Sequence, residues 1–224
     1  YNFHKQERVS SYHEIWYEET EDVGYLHFNF HNGAMSSEQC QRLRCILQLA
    51  KERPTKVIVL VGGEDFHSNG IHLNVIEAAD DPAHESWRNI NAMNDLILEL
   101  ITCKSHLTVS AVQGNAGAGG VVFALAADYI VARSGRVFNP HYKTMGLHGS
   151  EYWTYLLPKR IGEKAAQALT ERCLPITAEA AFEMGLVDSL IDARGAGFMG
   201  QLATILYNFC EPTNLPQLLA LKQT

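Results

Sequence analysis

The sequence has no block of lysines and arginines, and its 18 basic residues are outnumbered by 25 acidic ones, for a formal net charge of −7. A phosphate backbone or an anionic membrane surface asks for the opposite balance, so neither nucleic acid nor membrane is expected as a partner. There is no Cys-x-x-Cys pair either. The five cysteines, Cys40, Cys45, Cys103, Cys173 and Cys210, are odd in number and scattered, which suits reduced thiols in a cytoplasmic protein better than a disulfide framework. No signal sequence is visible, and the longest apolar run, Val121–Ala127, falls far short of the ~20 residues a membrane span needs. Internal repeats and low-complexity linkers are missing too. The 224 residues, 46% of them hydrophobic, suffice for one α/β domain with a sizeable core.

What is present centres on Leu107–Asp128. An apolar strand, Leu107–Val112, leads through a glycine-rich turn, Gly114–Gly120, into a helix that begins at Gly119–Gly120. Such a turn leaves unpaired N–H groups at a helix start, where they and the helix dipole attract negative charge. The turn lacks the Lys-Ser/Thr of a phosphate loop, and its glycine spacing fails the dinucleotide pattern. A second strand, Val57–Val61, runs through Gly62-Gly63-Glu64-Asp65-Phe66-His67-Ser68-Asn69-Gly70-Ile71-His72-Leu73 into another helix. Two loops at the ends of two parallel strands can aim their N–H groups at one point and form an oxyanion hole. Glycines that merely permit tight strand–helix packing are the alternative.

Around these loops the periodicity predicts a hairpin, Glu14–Glu19 and Val23–Phe30, with Leu26, Phe28 and Phe30 inward and His27 and Asn29 outward. Ser36 or Ser37 caps a helix bearing Cys40, Leu43, Ile46, Leu47 and Ala50. A long helix from about Pro82 to Thr102 places Trp87, Ile90, Met93, Ile97 and Ile101 at core spacing. A strand at Tyr129–Ala132, helices from about Ser150, an N-cap at Thr177, a stop at Gly185 and a strand Leu186–Ile191 complete the pattern. Residues 192–224 fit a helical tail. The chain opens at Tyr1 without methionine on a polar stretch: either the residues before it were removed or, as we expect, residues 1–224 are one module of a longer polypeptide.

The two loops resemble those of the crotonase (enoyl-CoA hydratase/isomerase) superfamily, whose first loop reads roughly F-S-A-G-x-D-L and whose second reads G-x-a-x-G-G-x before a helix and Asp. The likeness continues through Gly146, Leu156–Gly162 and Ile176–Ile191. It implies an α/β fold, the ClpP/crotonase-like spiral of ββα units, here with a helical tail shorter than the trimerising segment of typical members. It also implies oxyanion donors at the N–H of Ile71 and Gly119, with Asn69, Gly70, His72 and Gly120 around them.

Similar hydratases carry two glutamates that handle water across a double bond. The matching positions here are Val122 and Tyr142, neither a carboxylate, so ordinary hydration is not expected. Other members mount variable catalytic residues where this chain has Asn139-Pro140-His141-Tyr142 and His148-Gly149-Ser150-Glu151-Tyr152. Glu151 is the one carboxylate there, and partial burial would raise its pKa into the range of acid–base work; a solvated helix-cap carboxylate is the alternative. Tyr142 is either its partner or an aromatic core residue. His72 and His141 are either proton carriers or pocket walls, and Ser150 falls where related dehalogenases carry a nucleophilic aspartate. His67 and His72 lack a third ligand at a recognisable spacing, so no metal is expected.

Within the superfamily, Ser68–Glu77, Ser86–Asn91, Asn139–Lys143 and Gly149–Pro158 most resemble the C-terminal region of the HypX/HoxX hydrogenase-maturation family. That resemblance implies an N-terminal formyltransferase-like region using formyl-tetrahydrofolate, and here a domain that breaks formyl-CoA into carbon monoxide and coenzyme A, the CO becoming a ligand of the [NiFe]-hydrogenase iron. Other hydrogenase-maturation proteins are then possible partners. Two alternatives stay open: an acyl-CoA hydrolase or isomerase with Glu151 as its only base, and a non-catalytic CoA-binding or docking module.

Overall fold

A computed structural model describes residues 13–140, 142–146, 148–211 and 213–222. The polar opening stretch and His141 lie outside the described residues.

The chain begins with the expected hairpin, β1 (Ile15–Thr20) antiparallel to β2 (Val23–Phe28), turning at Glu21. After β3 (Ala34–Met35), Ser36 starts α1 (Ser37–Ala50) with a reciprocal capping box, its hydroxyl accepting from Gln39 N–H while the Gln39 side chain takes Ser36 N–H. The first loop follows β4 (Val57–Val61) and contains β5 (Phe66–Ser68), β6 (Gly70–Ile71) and α2 (Leu73–Glu77). Asp81 caps α3 (Pro82–Ile101) with proline in its first turn, where a missing N–H costs nothing. Then come β7 (Leu107–Val112), β8 (Asn115–Gly117) and α4 (Gly119–Leu125), the second glycine loop. The remainder runs β9 (Tyr129–Arg133), β10 (Val137–Asn139), α5 (Trp153–Ile161), α6 (Glu163–Arg172), β11 (Ile176–Thr177), α7 (Ala178–Glu183), β12 (Ser189–Ile191), α8 (Gly195–Cys210) and α9 (Leu215–Lys222).

The main sheet has the order β1-β2-β4-β7-β9-β12, parallel from β2 onward. A smaller sheet, β11-β10-β8-β5, and a two-stranded ladder, β3-β6, carry the connections. Together they make the ββα spiral of the crotonase fold, ending in two helices. Two apolar layers hold it. One lies between the sheet and α1, α3 and α4, around Leu26, Phe28, Leu43, Met93, Leu96 and Phe123. The other packs Phe198, Leu202 and Leu206 of α8 on Val57, Val59 and Val109. Lys222, at the end of α9, bonds Asp128 Oδ2 at 2.6 Å and His106 O at 2.9 Å, tying the tail to the start of β7.

Three expectations are corrected. Trp87 is 68% exposed rather than core. The buried stripe of α3 is Asn89, Ala92, Met93, Leu96, Ile97 and Leu100, because the helix is rotated to lay that face on α1. His27 is buried, not solvent-facing: it stacks on Trp16 with ring centroids 4.6 Å apart and bonds Glu18 at 2.8 Å on the outer face of the hairpin. The segment 186–191 keeps only Ser189–Ile191 as strand, since Leu186 and Val187 turn into the core.

Candidate active site

The two glycine loops meet. Gly70 has φ +79°, and a Cβ built on it would lie 3.1 Å from Gly119 N and 3.3 Å from Gly119 Cα. A side chain there would press on the Gly119 backbone, and the positive φ is one that glycine adopts without strain. Gly120 is confined in the same way, its hypothetical Cβ falling 2.0 Å from Ser68 O. Ala118, the residue before α4, is held at φ +45° and ψ −125°, a region that L residues rarely visit. In the turn that follows, Val121 N–H bonds Ala118 O at 3.1 Å, and the N–H groups of Gly119 and Gly120 precede the first carbonyl the helix can offer.

Beside this junction is a cavity of about 200 Å³. The first loop contributes Asn69, Ile71 and Leu73, the second Ala118 and Gly119, and α3 adds Ile90. The far wall is Tyr142 and the segment His148–Glu151. Most of these surfaces are apolar.

Glu151 is the carboxylate of this wall, only 3% exposed. Its Oε2 accepts hydrogen bonds from Tyr142 Oη at 3.0 Å and from Ser150 N–H at 2.9 Å. Its Oε1 faces Gly119, where a Cβ would come within 2.5 Å of it. Burial raises the Glu151 pKa above the usual carboxylate value, against the lowering effect of those hydrogen bonds. The Tyr142 hydroxyl is pushed up as well, by burial first and then by the neighbouring carboxylate, so it stays protonated and donates. The Tyr142 ring lies over Gly149, whose φ of +71° and lack of a Cβ leave room for it. Glu151 and Tyr152 have φ +38° and +60°. Non-glycine residues in this region persist where surrounding contacts hold them, and such strain concentrates at functional sites.

The structure separates the remaining sequence candidates. Asn69, Ile71, Gly119, Ser150, Tyr142 and Glu151 share the cavity wall, whereas His72, Gly70, Gly120 and Tyr152 stand behind or outside it. His72 is the N-cap of α2, its Nδ1 accepting from Val75 N–H at 3.3 Å. His67 points into the core between Phe28 and Phe123. Among the described residues no group of three or more His, Cys, Asp or Glu side chains is placed to hold a metal ion. No described helix is long and apolar enough to cross a membrane. Sequence reasoning missed Ile90, which reads as one more core position of α3, and Asn94, whose Oδ1 accepts from Glu151 N–H at 2.8 Å. Nothing in the local sequence distinguishes Asn94 from a solvated helix residue.

Comparison with known proteins places this arrangement. The hydrogenase maturation factor HoxX of Bradyrhizobium diazoefficiens is 50% identical over 184 residues, covering 82% of this chain and 32% of its own length. The crystal structure of HypX from Aquifex aeolicus in complex with tetrahydrofolic acid superposes with a TM-score of 0.92 at 49% identity, over 95% of this chain and 38% of that one. The chain thus spans about a third of the length of these relatives. An enoyl-CoA hydratase from Bacillus halodurans shares the fold, with a TM-score of 0.83 at 20% identity over 94% of this chain and 85% of that one. Residues 21–201 match the enoyl-CoA hydratase/isomerase family along their length, and the chain belongs to that family, the crotonases.

Proposed function

We propose that this domain is a formyl-CoA decarbonylase, a lyase that releases CO and coenzyme A and supplies the CO ligand of a [NiFe]-hydrogenase iron. The observation that carries the reading is a single buried carboxylate, Glu151, bonded to Tyr142 and facing Gly119 in a cavity of about 200 Å³. Val122, where hydratases carry a glutamate, is buried in α4 and cannot move a proton. A reaction needing one base and no activated water fits these residues.

The thioester head would enter the cavity with its carbonyl oxygen at the N–H groups of Ile71 and Gly119. These donors withdraw density from the acyl group and make its C–H bond more acidic. Glu151 in its ionised form takes the formyl proton, the C–H electron pair stays on carbon, and the C–S bond breaks with its pair leaving on sulfur. Carbon monoxide departs and the proton passes to the thiolate, so atoms and charge balance without water or an oxidant. A raised pKa makes Glu151 a stronger base than a solvated carboxylate. Tyr142 and Ser150 N–H hold one carboxylate oxygen and leave the other toward the substrate.

The likeness to HoxX and HypX supports an N-terminal formyltransferase-like region, using formyl-tetrahydrofolate, as source of the formyl-CoA. Purified protein mixed with formyl-CoA, with CO trapped by reduced haem and thiol measured in parallel, tests the reading. Equal CO and CoA, lost in Glu151→Gln, is the expected result. Thiol with formate and no CO would replace it with a hydrolase, and CoA binding without cleavage with a docking module.

A further inference from the structure

The first glycine loop and the Glu151 segment are far apart in sequence, yet one helix, α3, holds both. Asn89 of α3 is fully buried. Its Oδ1 accepts from His72 N–H at 2.9 Å and its Nδ2 donates to Met35 O at 2.8 Å. Met35 and Ile71 are paired in the β3–β6 ladder. The amide of Asn89 therefore acts as a further rung, with the donor and acceptor of a peptide group, and fixes the peptide that follows Ile71.

Five residues on, Asn94 takes Glu151 N–H at 2.8 Å, where Glu151 and Tyr152 both have positive φ. Five residues correspond to roughly 7.5 Å along a helix axis. Between and beyond the two asparagines, Met93, Leu96, Ile97 and Leu100 pack into the core, so α3 cannot shift either anchor independently.

We propose that Asn89 and Asn94 are positioning residues, through which α3 sets the separation between the Ile71 N–H and the Glu151 carboxyl group. The kinetic consequence rests on the decarbonylase reading; the positioning does not. A neutral amide suits position 94, because it accepts the N–H without adding charge beside Glu151. Among the described residues, the other titratable groups near that carboxyl are Tyr142, bonded to it, His148 on the same cavity wall, and the Cys40 thiol of α1, whose pKa burial pushes up to about 12.

The test is to titrate Glu151 by NMR on carboxyl-labelled protein, its signal assigned with Glu151→Gln, in the parent and two variants. Asn94→Ala frees the strained segment and lets the carboxyl reach water, so the Glu151 pKa falls toward the ordinary value. Asn94→Asp is isosteric and keeps the acceptor while adding a negative charge, so the pKa rises above the parent's. Opposite displacements are expected of a positioning group, whereas a packing role would move both the same way or neither. With formyl-CoA, Asn94→Ala should lose about 100-fold in kcat with KM within a few-fold, because small misplacements cost that much. Asn89→Asp, which keeps the acceptor and loses the donor to Met35 O, should speed amide hydrogen exchange at Ile71 and His72. Unchanged Glu151 titration in both Asn94 variants, each still folded, overturns the proposal. If the parent releases no CO, the decarbonylase reading falls and the NMR result still decides the positioning.

Discussion

Tyr142 Oη donates a 3.0 Å hydrogen bond to Glu151 Oε2 inside the wall of the cavity, and the two groups are protonated at different pH. The tyrosine keeps its proton throughout the neutral range. The carboxyl loses its own only above a raised pKa. In the proposed reaction the ionised carboxylate is the active form, so CO release should climb with pH through a pKa above the ordinary carboxylate value and then level off. Tyr142→Phe removes a donor that favours ionisation, which moves that rise to higher pH and lowers the plateau by roughly 10- to 100-fold. A rate profile rising at the ordinary carboxylate value in both proteins would sink this assignment.

The same shift has a consequence for stability. Folding holds the Glu151 proton more tightly than the unfolded chain does, so its contribution is favourable below the unfolded value of 4.5 and is lost as pH rises through the raised folded value. Glu151→Gln removes that loss. The variant should melt at or above the parent's temperature at neutral pH, with the difference shrinking as pH approaches 4.5. Calorimetry across that range checks it, and a constant difference would contradict the burial argument.

His67 titrates in the opposite sense. It stands where the loop pattern has phenylalanine, 1% exposed, with ring centroids 5.2 Å from Phe28 and 5.7 Å from Phe123 and no hydrogen bond to either ring nitrogen. Burial lowers its pKa to about 3. The unfolded chain takes up this proton below about 6.5 and the folded one does not, so stability falls as pH drops from 6.5 toward 3, by at most about 1.4 kcal/mol per pH unit. His67→Phe keeps the ring shape and removes this component. Denaturant midpoints of the two proteins should diverge below pH 6.5, and parallel curves would refute the account.

Two neighbouring glycines should respond differently to alanine. At Gly119 the added Cβ meets Glu151 Oε1, the end of a side chain that can swing away, so the fold survives and activity drops by about 100-fold through the displaced base. At Gly120 it meets Ser68 O, which is backbone and cannot move cheaply, so Gly120→Ala should lose several degrees in Tm as well. Melting curves and CO assays on both variants separate these outcomes.

The sequence by itself determined the elements and their class. A continuous apolar run gave β4 its limits, Val57–Val61, as suits a strand buried on both faces, and the apolar residues of Leu107–Val112 marked β7 although it also buries Thr108 and Ser110, the former bonded to Asp128. Capping chemistry marked the starts of α1 and α7 at Ser36 and Thr177. The glycines announced the close approach of two loops, since only they fit where backbone meets backbone. At Val122 and Tyr142, the positions matching the two glutamates of similar hydratases, the sequence has no carboxylate.

Only the tertiary structure decided the rest. Helical spacing could not say which side of α3 faces the core, so Trp87 read as buried and Asn94 went unnoticed; packing on α1 sets that rotation. His72 looked like a pocket residue until the fold made it the cap of α2. Glu151 as a short-range pattern is equally a solvated cap or a base. Its burial, its hydrogen bond to Tyr142 nine residues away and its backbone bond to Asn94 fifty-seven residues away make it the latter candidate. Those are long-range contacts, and no local periodicity encodes them.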